Sequence, residues 1–295
     1  IENGEDLKKI AISLWATSTM RNGGEDICQI LFLMGIKPVW DGVTRKVIDL
    51  EVIPIGVLSR PRVDVTIRIS GMFRDSFPQL IEILSKAIKL ISNLDENINE
   101  NPLAHDFKKY KSNYRIFGSA PGSYGAGLQE LISNSSWNDN DELADVYLSW
   151  SSWIYDNNNE GFYSKSRLER TLRNVQVVIH NQDNKEHDIL DSDDYYQFQG
   201  GLSASIKKLS GKYPNIYHGD LSKYGHSKIS KLKNEIEKVL LTRVINPKWI
   251  NGMINNGYKG AFEFSATLDY LYAYDATTNL VSNWCYESIY NSWIC

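Results

Sequence analysis

Short runs rich in β-branched residues alternate with segments of helical spacing along much of this chain, and that alternation narrows its fold more than any other feature. KKIAISLWAT reads as a buried strand, followed by a polar loop through Asn22, Gly23 and Gly24. A helix comes next, with Ile27, Ile30, Leu31 and Met34 at helical spacing. VIDLEVI and VDVTIRIS are further strands, and the second runs through GMFRDSF into a helix that Pro78 can open. The middle is different, with helical patterns over 102–111, 125–133 and 139–155 and a surface excursion at Asn157, Asn158 and Asn159. The alternation resumes with VQVVI, a helix over 193–209 and the strand NIYHG, a βαβ unit. From Ser230 onward the pattern is helical, including 232–244 and 247–256. The expected fold is therefore α/β: parallel-sheet βα units with a largely helical middle and a helical C-terminal region. Three stretches of one continuous region are expected, an α/β subdomain over 1–115, a mostly helical insertion over 116–174, and the βαβ unit with its C-terminal helices over 175–295.

Composition removes several functional classes. A net charge of −4 without a clustered basic face argues against nucleic acid as a partner. The longest apolar run, ILFLMGI, is far below membrane-spanning length, and the opening IENGEDLKK lacks the apolar core of a signal peptide. Cys28, Cys285 and Cys295 are too few and too scattered for a disulfide framework or a paired-cysteine zinc site. A reducing, cytoplasmic setting is expected. The start without methionine, almost directly into a strand, suggests a larger polypeptide cut at this point.

The stretch VQVVIHNQDNKEHDILDSDDYYQFQGG carries the most chemistry. Asp183, Glu186, Asp188, Asp191, Asp193 and Asp194 would repel one another when ionised, so a cation is expected among them unless they splay into water. If 183–190 is helical, Asp183, Glu186 and His187 share one face, and with His180 and Asp188 they form a candidate set for a divalent first-row metal. His187 or Glu186 could instead accept a proton, since either can titrate near neutrality once perturbed. Ser192 with Asp193 and Asp194 has the simpler reading of a helix start, acids at its positive end. Gly200 and Gly201 inside the next helix call for the close approach of another group, or for a kink or tight helix packing.

Ligands in open α/β sheets sit beyond the carboxyl ends of the strands. If VQVVI and NIYHG are parallel neighbours, the cluster from His180 to Asp194 and the motif His218, Gly219, Asp220 leave on the same rim. The loops 15–22 and 70–75 should bring Trp15, Arg21 and Arg74 there. GSAPGSYGAG matches neither nucleotide-binding glycine pattern, so it reads as a structural turn or a contact for a substrate carboxylate.

Longer matches add a family. HNQDNKEHDILDSDDYYQFQGG, IYHGDLS and NPKWINGMINNGYKGAFE resemble the large subunit of ATP-dependent cobaltochelatase, the CobN type, which is related to the H subunit of magnesium chelatase. LWATSTMRNGGEDICQILFLMGIKPVWD, EVIPIGVLSRPRVDVTIRISGMFRDSFPQLI and FGSAPGSYGAGLQELI extend the likeness along almost the whole chain. The resemblance implies insertion of Co²⁺, as substrate, into the corrin hydrogenobyrinic acid a,c-diamide in cobalamin biosynthesis. It further implies partner subunits of AAA+ ATPase and integrin-like type that carry ATP and Mg²⁺, with no cofactor held permanently here. Under it, His180, Asp183, Glu186 and His187 would receive the metal or the displaced protons, facing His218 and Asp220. Arg21 and Arg74 would pair with carboxylates of the macrocycle, and Trp15, Tyr195, Tyr196 and Gln199 would contact it. The family's HGxxEWLPGK segment is absent from this sequence, so the chain reads as the carboxyl-terminal part of a longer subunit. Magnesium insertion into protoporphyrin and a non-catalytic tetrapyrrole carrier are the competing readings.

Overall fold

The computed structural model describes residues 6–157 and 160–294, which leaves the expected excursion at Asn158 and Asn159 outside the described residues. Among the described residues the strands are β1 (Lys9–Leu14), β2 (Ile36–Trp40), β3 (Val47–Val52), β4 (Asp64–Ile69), β5 (Ile116–Gly118), β6 (Trp153–Ile154), β7 (Phe162–Tyr163), β8 (Val177–Gln182), β9 (Asn215–Asp220) and β10 (Lys228–Lys231). Two units share them, Ile1–Tyr124 with Leu148–Val178, and Gly125–Tyr147 with Ile179–Cys295. The expected middle stretch thus contributes to both.

In the first unit β1 and β4 pair in parallel, Ile10 opposite Val65 and Ile12 opposite Ile67, and β5 continues the parallel run beside β4. All six residues of β4 are buried, as a parallel strand covered on both faces requires. Helix Glu25–Met34 and helix Pro78–Ser92 supply cover, the latter through Ile81, Leu84, Ile88 and Ile91, with Pro78 in its first turn where a missing N–H is harmless. Two expectations change here. VIDLEVI is a strand, but it pairs antiparallel with β2 in a separate two-stranded sheet. A proline and mixed polarity mask the period of its partner IKPVW. The segment after β1 is a short helix, Ala16–Asn22, ended by Gly23 at φ +72°, in place of a loop.

In the second unit β8 and β9 are neighbours, and their carboxyl ends lie together: Leu221 N donates to Gln182 O at 2.8 Å. β10 adds an antiparallel edge, with Ser230 opposite His218. The connection from β8 to β9 is helical over 193–210, with a π-helical turn, Tyr196–Gly200, between a first α turn, Asp193–Tyr195, and helix Gly201–Ser210. The glycine pair is explained by packing. A Cβ on Gly200 would stand 2.2 Å from Thr277 Oγ1, and one on Gly201 would stand 2.4 Å from Tyr147 Cδ2. Helix Leu232–Val239 passes into a second π turn, Leu240–Val244, before helices Pro247–Asn255, Tyr258–Thr278 and Asn283–Trp293.

Candidate functional site

The carboxyl ends of β8 and β9 carry the polar residues that sequence reading placed on one rim. His180 and His218 are each 2% exposed. Close strand approach brings them there: Gly219 has no side chain because a Cβ would stand 2.1 Å from Asn181 Oδ1. Tyr195, from the first turn of the following helix, lies between two imidazoles, its ring 4.9 Å from that of His180 and 5.8 Å from that of His187. Gln182 donates to the carbonyl of His187 and so ties the loop back to the strand that precedes it.

Burial decides the protonation of the inner pair. It drives the His180 pKa down to about 3, with the neighbouring His218 adding to the shift. Burial also lowers His218, against the opposing charges of Glu235 and Asp220. Both rings are therefore neutral at physiological pH. His218 Nε2 lies 3.9 Å from Glu235 Oε1, and Glu235 in turn accepts from Lys238 at 2.8 Å. Asp220 accepts from Lys185 at 2.8 Å and from the Ser222 amide at 3.1 Å, and these bonds hold its carboxyl below the usual range despite partial burial.

Residues 183–190 are not helical, so the shared face of Asp183, Glu186 and His187 does not form. Side chains in the loop take the backbone donors a helix would have used. Asn184 Oδ1 accepts from Glu186 N at 3.1 Å, Asp188 Oδ1 from Leu190 N at 2.9 Å, and Asp191 Oδ2 from Asp188 N at 2.8 Å. The expected cation is present, and it belongs to the protein. Arg243, on the second π turn, grips Asp188 with two bonds of 2.6 and 2.9 Å and reaches Asp191 at 3.1 Å. Among the described residues no three His, Cys, Asp or Glu side chains are placed to hold a metal ion together. The expected metal set of His180, Asp183, Glu186, His187 and Asp188 is thus not assembled: His180 is buried against Tyr195, Asp188 is spent on Arg243, and Asp183 bonds the Asn184 side chain at 3.3 Å. Glu186 is exposed and His187 partly exposed, so both are open to solvent. Ser192 caps the following helix by accepting from Asp194 N at 3.3 Å, as its position before two acids implied.

The residues expected to touch a macrocycle are differently placed. Tyr196 is 1% exposed and stacks 5.7 Å from Tyr270, while Gln199, wholly buried, donates to Tyr217 O at 2.9 Å and accepts from Tyr274 Oη at 3.2 Å. Their role in this structure is to fix the π turn against β9 and helix Tyr258–Thr278. Trp15, Arg21 and Arg74 belong to the first unit. Trp15 is the partly buried residue preceding helix Ala16–Asn22, and Arg21 is exposed on that helix. Arg74 is 3% exposed and held by Asp75 at 2.7 Å, by Ala120 O at 2.7 Å and by Ser123 O at 3.2 Å. It is bonded to carbonyls of the glycine-rich turn GSAPGSYGAG.

Sequence reading missed Arg243, Glu235, Tyr274 and Thr277. Each stands at an unremarkable position in a helical pattern and meets the site only through contacts far along the chain. Arg243 did have one signal, the unbalanced acids of 183–194 that required a positive partner.

A family model described as CobN/Magnesium Chelatase matches residues 1–295. The chain is 43% identical to the aerobic cobaltochelatase subunit CobN of Pseudomonas aeruginosa, over 99% of this chain and 25% of that protein. It is 29% identical to the magnesium-chelatase subunit ChlH of Oryza sativa subsp. japonica, over 97% of this chain and 22% of that protein. A solved structure, the catalytic subunit of cobaltochelatase from Mycobacterium tuberculosis, superimposes with a TM-score of 0.95 at 41% identity, covering 99% of this chain and 26% of that one. The chain spans about a quarter of the length of these relatives.

Proposed function

This chain belongs to the CobN/magnesium chelatase family, and from that premise we propose that it forms part of the tetrapyrrole-binding large subunit of a cobaltochelatase. The reaction is insertion of Co²⁺ into a corrin, hydrogenobyrinic acid a,c-diamide, with ATP hydrolysed by AAA+ type partner subunits. One observation carries the choice of metal: identity to the cobaltochelatase subunit, 43%, is well above that to the magnesium-chelatase subunit, 29%, over nearly the same stretch. Magnesium insertion into a porphyrin is the alternative the second relationship supports.

Entry of the metal displaces pyrrolic protons, which need acceptors on the protein. In this reading Glu186 and His187, which are open to solvent in the loop after β8, take up those protons, a carboxylate and an imidazole both being proton-accepting side chains. The neutral His180 and the Tyr195 ring form a wall behind His187, which favours an uncharged macrocycle face over a hydrated ion. Asp220, kept ionised by Lys185 and Ser222, supplies fixed negative charge on the same rim. Substituting both Glu186→Ala and His187→Ala in the full-length subunit, assayed with its partners, should abolish metal insertion while ATP hydrolysis continues. An unchanged insertion rate would remove the assignment.

A further inference from the structure

We infer that Arg243 is a positioning residue for this reaction, acting through the loop 183–192 and never on substrate; the inference rests on the reading of Glu186 and His187 as proton acceptors. The loop 183–192 contains no helix or strand, and besides one backbone turn bond, Asp191 N to Asp188 O at 3.1 Å, it is held by side chains. Among those side-chain bonds, the ones made by Arg243 reach two acids of the loop. Its guanidinium binds both oxygens of Asp188, at 2.6 and 2.9 Å, the planar fork geometry that a lysine cannot copy. Asp188 at the same time accepts from Leu190 N, and Asp191 accepts from Asp188 N while pairing with Arg243 at 3.1 Å. One cation therefore locks two turns of the loop immediately beyond His187.

The cation is itself fixed from outside the loop. Arg243 Nη1 donates to Thr267 Oγ1 at 3.2 Å on helix Tyr258–Thr278, and its guanidinium lies 5.2 Å from the Trp249 ring centroid on helix Pro247–Asn255. The residue stands on a π turn, Leu240–Val244, a local irregularity often found where a side chain must be aimed. Without Arg243, Asp188 and Asp191 would repel each other at close range. The lower charge density would come from opening the loop, and His187 would leave the Tyr195 ring. The arrangement does the work that the acid-rich sequence assigned to a bound metal.

The test uses the full-length subunit carrying Arg243→Met, Arg243→Lys or Asp188→Asn, with two readouts: hydrogen exchange of the amides of 183–192, and steady-state metal insertion with the partner subunits. The inference predicts that Arg243→Met speeds exchange across 183–192 by about tenfold or more and lowers kcat by a similar factor, with KM for the tetrapyrrole within about twofold. Asp188→Asn, which leaves Arg243 in place, should reproduce the kcat loss in milder form, and Arg243→Lys should recover part of it. Unchanged exchange in a folded Arg243→Met subunit overturns the inference. Should Arg243→Met fail to fold, unchanged exchange and kcat in Asp188→Asn overturn it equally. Loosened exchange with unchanged kcat overturns instead the assignment of Glu186 and His187, and the role of Arg243 in the reaction with it.

Discussion

His180 and His218 stand out because burial removes their charge, a property no inspection of residue types would reveal. An imidazole whose folded pKa lies below its unfolded value binds fewer protons folded than unfolded, so its contribution to stability falls as pH drops below about 6.5. For His180 that loss continues down to about pH 3. The slope is roughly 1.4 kcal/mol per pH unit for a fully neutral buried histidine. Urea unfolding of the subunit between pH 6.5 and 5 should therefore show a shallower pH dependence in His180→Gln than in the natural sequence, by roughly that slope. Parallel curves would mean that His180 is protonated in the folded state. Comparing the two proteins cancels the carboxylates and Lys185, Glu235 and Lys238 around the pair. The residue scale is also where sequence reading was weakest. It recognised that His180, His187 and His218 belong to one region, because the two strands leading to them are plainly written. It could not see that Gln199, Tyr196 and Arg74 are buried and engaged, because that depends on partners such as Tyr274 and Ala120 that lie far away in sequence.

At the scale of elements, the helix from β8 to β9 illustrates how a local irregularity can be required by packing. Gly200 has an ordinary helical backbone, φ −66°, so alanine there would gain about 1 kcal/mol of helix propensity were the space free. Thr277 removes that space, with Oγ1 only 2.2 Å from a Cβ at that position. Gly200→Ala should lower stability by about 1–3 kcal/mol, and adding Thr277→Ala should restore most of it. Thermal unfolding of the single and double variants measures this, and equal losses in both would place the strain elsewhere. The element pattern itself was legible wherever the hydrophobic period was clean: β1, β4, β8, β9 and helices Pro78–Ser92 and Gly201–Ser210 all lie where apolar spacing put them. It failed where side chains compete with the backbone. The loop 183–192 has apolar and acidic spacing compatible with a helix, but Asn184 and Asp188 capture its amides instead. The strands β2, β5, β6, β7 and β10 are too short or too polar to register as periodic.

At the scale of the molecule, the family likeness covers the whole chain while the chain covers about a quarter of its relatives. Among the described residues no helix is long and apolar enough to cross a membrane. The cobalt reading makes a demand that the magnesium reading does not: the ring recognised should be a corrin. Titrating the full-length subunit with hydrogenobyrinic acid a,c-diamide and, separately, with protoporphyrin, each followed by visible absorbance, tests it most directly. The account predicts saturable spectral change with the corrin and binding of the porphyrin weaker by about tenfold or more, a difference of roughly 1.4 kcal/mol or above. Preferential binding of protoporphyrin, or saturation by neither ring, would contradict it.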